Sequence, residues 1–107
     1  MELKQYSIVL VNLDPTIGSE IKKTRPCVIL SPNEINKFLK TVVVAPMTTN
    51  LKKYPTRINV KHNGKNGMIA IDQIRTIDKT RILKRFDQLT KSEIADCKSI
   101  IKETFVD

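Results

Sequence analysis

The chain reads as a mainly β protein, a small barrel or curled sheet covered by one C-terminal helix. Two observations predict this. Apolar and β-branched runs recur at 6–13, 27–31, 41–46, 56–61 and 68–78, separated by stretches holding Pro, Gly, Asn or Ser. Short strands of a barrel recur with this kind of spacing. From Thr90 the apolar residues return every three or four positions instead, the spacing of an amphipathic helix.

The elements follow in order. Residues 6–13 form the first strand, and Asp14-Pro15 ends it. A loop with Gly18 and several cations precedes Cys27-Val28-Ile29-Leu30, the second strand. Ser31-Pro32-Asn33-Glu34 opens a short helix through Phe38, and Val42-Val43-Val44-Ala45-Pro46 forms the third strand. The fourth strand, 56–61, leads into His62-Asn63-Gly64-Lys65-Asn66-Gly67, read as a hairpin loop because Asn-Gly tolerates positive φ. Residues 68–78 read as two strands or one bent strand, since Asp72-Gln73 interrupts the apolar pattern. Thr90-Lys91-Ser92-Glu93 fits a capping box with Thr90 as N-cap. Ile94, Cys97, Ile101, Thr104 and Phe105 then form an apolar stripe, widened by Ile100, that should lie across the barrel.

At 107 residues the chain has material for one domain with a single modest core. Lysine and arginine outnumber aspartate and glutamate by 19 to 11, a formal +8. That excess suits a polyanionic partner, although charge alone also serves solubility. No apolar run approaches the roughly 20 residues of a membrane span. Met1-Glu2-Leu3-Lys4-Gln5 lacks the apolar stretch of a secretory signal, so the expected compartment is the cytoplasm. Cys27 and Cys97 fall in separate apolar patterns, and His62 is the single histidine. These make no zinc ligand set, and no metal or cofactor is expected. Both thiols read as small core residues.

The densest chemistry lies at strand ends. Leu13-Asp14-Pro15-Thr16-Ile17-Gly18-Ser19-Glu20 runs into Ile21-Lys22-Lys23-Thr24-Arg25-Pro26, and the third apolar run ends on Thr48 and Thr49. Arg25 precedes Pro26, which biases it toward an extended conformation at a strand entrance. Its planar fork can meet two phosphate oxygens while staying charged. It can equally be a solvated loop cation. Glu20, in the same loop, could pair with Arg25 and hold the fork.

These blocks, with 72–81, resemble the MazF/PemK/Kid family of toxin endoribonucleases, over most of the chain from about Tyr6. The resemblance implies an SH3-like β-barrel with a C-terminal α-helix and short helical insertions. It implies a homodimer that cuts single-stranded RNA, chiefly mRNA, without metal, leaving a 2′,3′-cyclic phosphate and a 5′-hydroxyl. It also implies a labile acidic antitoxin similar to MazE. Arg25 matches the family's catalytic arginine, and Thr48 matches its catalytic hydroxyl after the pair Pro46-Met47. Thr48 read without the family is a turn threonine bonding its own backbone.

For acid–base work Glu20 is the preferred candidate. No histidine occupies the N-terminal strand–loop region where one family member has it, and His62 reads as an exposed loop residue. Asp72-Gln73-Ile74-Arg75 resembles a further family block, with Gln73 structural or RNA-binding and Arg75 able to hold a carboxylate. Lys22, Lys23, Lys52, Lys53 and Arg57 lie in or beside loops, where cations reach phosphates. Thr49 and Gln73 complete the expected RNA-binding set. Aromatics are only 5% of the chain with no tryptophan, which favours hydrogen-bonded readout over stacking platforms. The alternatives are a noncatalytic gyrase-binding toxin of CcdB type and a small RNA-binding barrel. The absent tryptophan counts against the first.

Overall fold

The structure, a computed structural model, describes residues 2–106. Its strands are β1 Ser7–Asn12, β2 Thr24–Ile29, β3 Thr41–Thr48, β4 Arg57–His62, β5 Lys65–Ala70, β6 Arg75–Asp78 and β7 Ile82–Gln88. They join in the order β4-β5-β3-β2-β1-β7, with β6 also paired to β3, and each pairing is antiparallel.

The longest strand, β3, organises the sheet. One edge pairs with β2, from Cys27↔Pro46 to Ile29↔Val44. The other pairs first with β6, Thr41↔Asp78 to Val44↔Arg75, and then with β5 at Met47↔Ile69 and Thr48↔Met68. The changeover spans Ala45 and Pro46, and a proline gives no N–H to either neighbour. The 68–78 run thus resolves into β5 and β6, split by a 3₁₀ turn at Ile71–Gln73.

Alternate side chains of a strand point to opposite faces, and here both faces are buried. Ile8, Val28 and Ala45 join Met47, Ile58, Val60, Ile69, Ile71, Leu89 and Cys97 in one cluster. Val9, Val11, Leu13, Cys27, Ile29, Val42, Val44 and Ile77 form the other. Strands covered on both sides read as continuous apolar runs, which is why 42–46 shows no alternation.

The first helix, α1, runs Asn33–Phe38. The second, α2, runs Lys91–Ile101 with the expected capping box: Thr90 Oγ1 accepts from Glu93 N, and Glu93 Oε1 accepts from Thr90 N at 2.9 Å. Glu93 Oε2 also accepts from Lys61 N at 3.1 Å, tying the helix start to the edge strand β4. Cys97 is fully buried, and Ile94, Ile100 and Ile101 pack partly against the first cluster. The chain then widens into a π-helical turn, Lys102–Val106. That change of pitch leaves Phe105 59% exposed, so the end of the expected apolar stripe does not reach the core.

Two further readings are corrected. The hairpin loop expected over 62–67 is only the turn Asn63-Gly64, with φ of 51° and 73°. Strand pairing continues through His62↔Lys65, so His62 ends a strand instead of sitting in a loop. Strand β7 carries no apolar pattern: its sequence ILKRFDQ is mostly exposed and lies at the edge of the sheet. Charged side chains there protect an edge from pairing with other chains. Among the described residues no helix is long and apolar enough to cross a membrane.

Candidate active site

The loop between β1 and β2 is fixed by its own polar groups and by the far side of the sheet. Asp14 Oδ1 accepts from Lys23 N at 3.0 Å, while Leu13 N donates to Lys23 O at 2.9 Å. Leu13 is fully buried below them. Gly18 and Lys23 take φ of 61° and 69° to turn the chain. Gln73 Oε1 accepts from Ile21 N at 2.7 Å, and Arg75 Nη1 donates to Leu13 O at 3.1 Å. Arg81 Nη1 adds bonds to Asn12 O and Asp14 O. The 72–81 block therefore positions this loop. Gln73 has a structural task, and Arg75 holds a backbone carbonyl, not the carboxylate expected of it.

Arg25 leaves this loop as the second residue of β2, opposite Val11. It is half-buried, with Nε donating to Lys22 O at 3.3 Å. Continuing the β2–β3 register from Cys27↔Pro46 brings Arg25 beside Thr48. Both line one open cleft, with Pro26, Met47, Thr49 and the β4–β5 hairpin residues His62, Asn63, Lys65, Asn66 and Gly67. Thr48 Oγ1 accepts from Asn50 N at 3.2 Å, the turn bond that threonine forms on its own backbone. Accepting there fixes the hydroxyl and leaves its proton to be donated. Gly67 lies against this strand: a Cβ added to it would be 3.1 Å from Thr48 O.

The structure departs from the expectation for Glu20. Its Oε1 accepts from Ile17 N at 2.6 Å and so caps its own loop. It lines a neighbouring cleft with Asp72, Gln73 and Arg75. Among the described residues no ion pair joins it to Arg25, and no carboxylate lines the Arg25 cleft.

The cations divide. Lys22 and Lys23 are exposed at the loop end beside Arg25, and Lys52 and Lys53 are exposed on the β3–β4 loop. Lys53 faces a groove between the β4–β5 hairpin and the start of α2. Arg57 is different. Its Nε lies 2.8 Å from Asp72 Oδ1, its side chain is 10% exposed, and its guanidinium sits 5.1 Å from the Tyr54 ring centre. The Asp72 hydrogen bond raises the Arg57 pKa, and the same bond lowers that of Asp72 against the cost of partial burial. With the fork committed to a carboxylate, Arg57 is a fold-building cation and not the loop contact for phosphate that its position in sequence suggested.

His62 is the cleft residue that sequence reasoning placed elsewhere. Its ring is half-buried and meets Phe86 of β7 edge to face, centroids 4.8 Å apart at 64°. The signal for it was the Asn63-Gly64 turn, which fixes where β4 ends. The cysteines match their expected role. Burial pushes both Cys27 and Cys97 up to about 12, with Arg75 opposing the shift at Cys27, so neither thiol is a nucleophile at neutral pH.

The curled sheet thus presents, at its strand ends, a cleft lined by the cations Arg25 and Lys65 and the hydroxyls of Thr48 and Thr49. The family model for the PemK-like, MazF-like toxin of type II toxin–antitoxin systems matches residues 4–105. The endoribonuclease MazF of Staphylococcus epidermidis is 32% identical over 100 residues, covering 88% of this chain and 83% of its own. The crystal structure of MazF from Deinococcus radiodurans superimposes with a TM-score of 0.83 at 22% identity, covering 94% of this chain and 93% of that one. A MazE–MazF structure from the same organism gives 0.80 at 22% identity, covering 96% and 95%. The chain belongs to the PemK/MazF-like family of type II toxins.

Proposed function

We propose that this single-domain chain is a cytoplasmic endoribonuclease that cuts single-stranded RNA, chiefly mRNA, and so suppresses translation and growth. The observation that carries this reading is the meeting of Arg25 and Thr48 in one cleft, in a chain 32% identical to an endoribonuclease. Cleavage by the neighbouring 2′-hydroxyl builds negative charge on the nonbridging oxygens as the phosphorane forms. A guanidinium and a hydroxyl donor held at strand ends stabilise that charge without reorganising. The products are a 2′,3′-cyclic phosphate and a 5′-hydroxyl.

Lys22, Lys23, Lys52, Lys53 and Thr49 extend the surface along which the RNA backbone runs. Gln73 shapes the β1–β2 loop from below. Two copies of the chain pair to present the strand with a longer track. The +8 chain suits an acidic, disordered partner, and the Deinococcus radiodurans relative is found with MazE. An antitoxin of that kind is the proposed inhibitor.

The test is incubation of the purified protein with long mRNA, mapping of new 5′ ends, and comparison with Arg25→Ala and Thr48→Ala. Each substitution removes one preorganised donor and should lower the single-turnover rate by about 10²–10³, the threonine less than the arginine. Folded variants that cut at wild-type rate would end the assignment. Loss of affinity alone would favour a noncatalytic RNA-binding barrel, and a wild type that leaves RNA intact would favour a protein-binding toxin.

A further inference from the structure

Metal-independent cleavage requires a group that takes the 2′-hydroxyl proton, and the cleft supplies few. Arg25 stays protonated and has no acceptor. Thr48 and Thr49 carry neutral hydroxyls, which are weak bases unaided, and the ammonium of Lys65 is a donor. Asn63 and Asn66 bring amides, which are not bases. Glu20, the carboxylate that the sequence suggested, is turned into its own loop and opens on a different cleft. Among the described residues of the lining, His62 is the remaining one whose side chain carries a basic atom.

We propose that His62 is the proton acceptor of the cleavage reaction, an inference that rests on the endoribonuclease reading above. The ring stands at the last position of β4, where the β4–β5 ladder ends at His62↔Lys65. Phe86 meets the ring edge to face, centroids 4.8 Å apart. Among the described residues neither ring nitrogen has a hydrogen-bond partner. A histidine that lines the arginine cleft, is anchored by an aromatic contact and has no side-chain hydrogen-bond partner among the described residues is set for a ligand that the fold does not provide. The charged groups on the elements packed around it are Arg25 on β2, Lys65 on β5 and Lys84 on β7, the last 5.3 Å from the Phe86 ring centre. Lys61 precedes it on β4 and Asp87 follows Phe86 on β7.

The step balances. As the 2′-oxygen bonds to phosphorus, its proton passes to the neutral imidazole of His62. The bond from phosphorus to the 5′-oxygen breaks, and that oxygen takes a proton from water. The hydroxide so formed recovers the proton from the imidazolium, leaving the enzyme unchanged.

The experiment uses a short oligonucleotide spanning the strongest cut site found in a long mRNA. Single-turnover rates at saturating RNA are measured from about pH 5 to 8. Wild type is compared with His62→Gln and His62→Ala, and affinity is read on the same oligonucleotide with a 2′-deoxy sugar at the cut site. Thermal melting is recorded for each protein. Loss of an acid–base group should lower the rate on the order of 10²-fold with affinity almost unchanged, and should erase the rise of rate with pH. Added imidazole should restore part of the His62→Ala rate in proportion to its concentration. If wild type cuts but folded His62→Gln keeps its rate and pH profile, the proton acceptor lies elsewhere while the endoribonuclease reading stands. A loss confined to affinity has the same consequence. If His62→Gln melts early, rescue of His62→Ala decides: restoration supports the role, and a folded protein that imidazole does not restore overturns it. If wild type cuts no RNA, both readings fall together.

Discussion

Replacing Arg57 by alanine distinguishes a cation that builds the fold from one that meets RNA. Its guanidinium gives Asp72 two hydrogen bonds, Nε to Oδ1 at 2.8 Å and Nη2 to Oδ2 at 3.2 Å, and Thr56 Oγ1 adds a third at 2.9 Å. The Arg57 side chain is 10% exposed and that of Asp72 35%. Exposed ion pairs contribute about 0.2–1 kcal/mol, and hydrogen bonds to charged groups about 1.5–3 kcal/mol. A pair screened on its aspartate side falls between, so a double-mutant cycle of Arg57→Ala and Asp72→Asn should show coupling of about 1–2 kcal/mol in urea unfolding. The carboxyl of Asp72 is held below its ordinary 3.8, chiefly by Arg57. As pH falls, the unfolded chain therefore binds this proton first. The pair's contribution is complete well above that ordinary 3.8 and is lost as pH falls through the lowered folded value, a component that Asp72→Asn should lack. RNA binding gives the complementary readout. Each phosphate contact contributes a log–log salt slope of about −0.7 on single strands, so Lys22→Ala should lose about that much while Arg57→Ala keeps the wild-type slope. A reduced slope in Arg57→Ala together with negligible coupling to Asp72 would refute the structural role.

Three other outcomes follow from the same geometry. Gly67→Ala places a methyl 3.1 Å from Thr48 O. Alanine recovers roughly 0.5–1 kcal/mol of backbone entropy in a strand, so melting should change little. The displaced Thr48 should still slow cleavage by about tenfold, given that a 1 Å misplacement can cost about 10²-fold; wild-type turnover would show that this contact does not set the cleft. Thr90→Ala removes the N-cap of α2 and should cost about 1 kcal/mol in urea unfolding, and an unchanged midpoint would contradict the capping argument. Cleavage should persist in excess EDTA, because cations and hydroxyls line the cleft rather than carboxylates. Activity abolished by chelation and restored by magnesium would sink that mechanism.

Legibility in the sequence followed burial. The strands of the two clusters stood out because covered faces demand aliphatic and β-branched residues, and Thr90 to Glu93 announced α2 through the chemistry of its cap. Strand β7 was silent, since an edge strand with Lys84, Arg85 and Asp87 in water needs no apolar period. Missing β7 also hid Phe86, and with it the support for His62. Arg25 and Thr48 could be named from motif, but their adjacency came from the β2–β3 register, which no local pattern encodes. Arg57 misled because a charge beside a loop looks free until its distant partner Asp72 is known, and Glu20 because the partner expected for it was Arg25 and not the nearby Ile17 N.

The strands that carry Arg25 and Thr48 have neighbours on both edges, and next to those side chains lie Cys27, fully buried, and Met47, 6% exposed. Local openings with low free energy belong to frayed ends and exposed loops, whereas interior strands open only with the whole fold. The amides of Cys27 and Met47 beneath the cleft should therefore be among the slowest to exchange, with Arg25 and Thr48 at the strand ends above them. On the proposed reading, restraint comes from an occupant of the cleft, and its release needs no refolding of that buried floor.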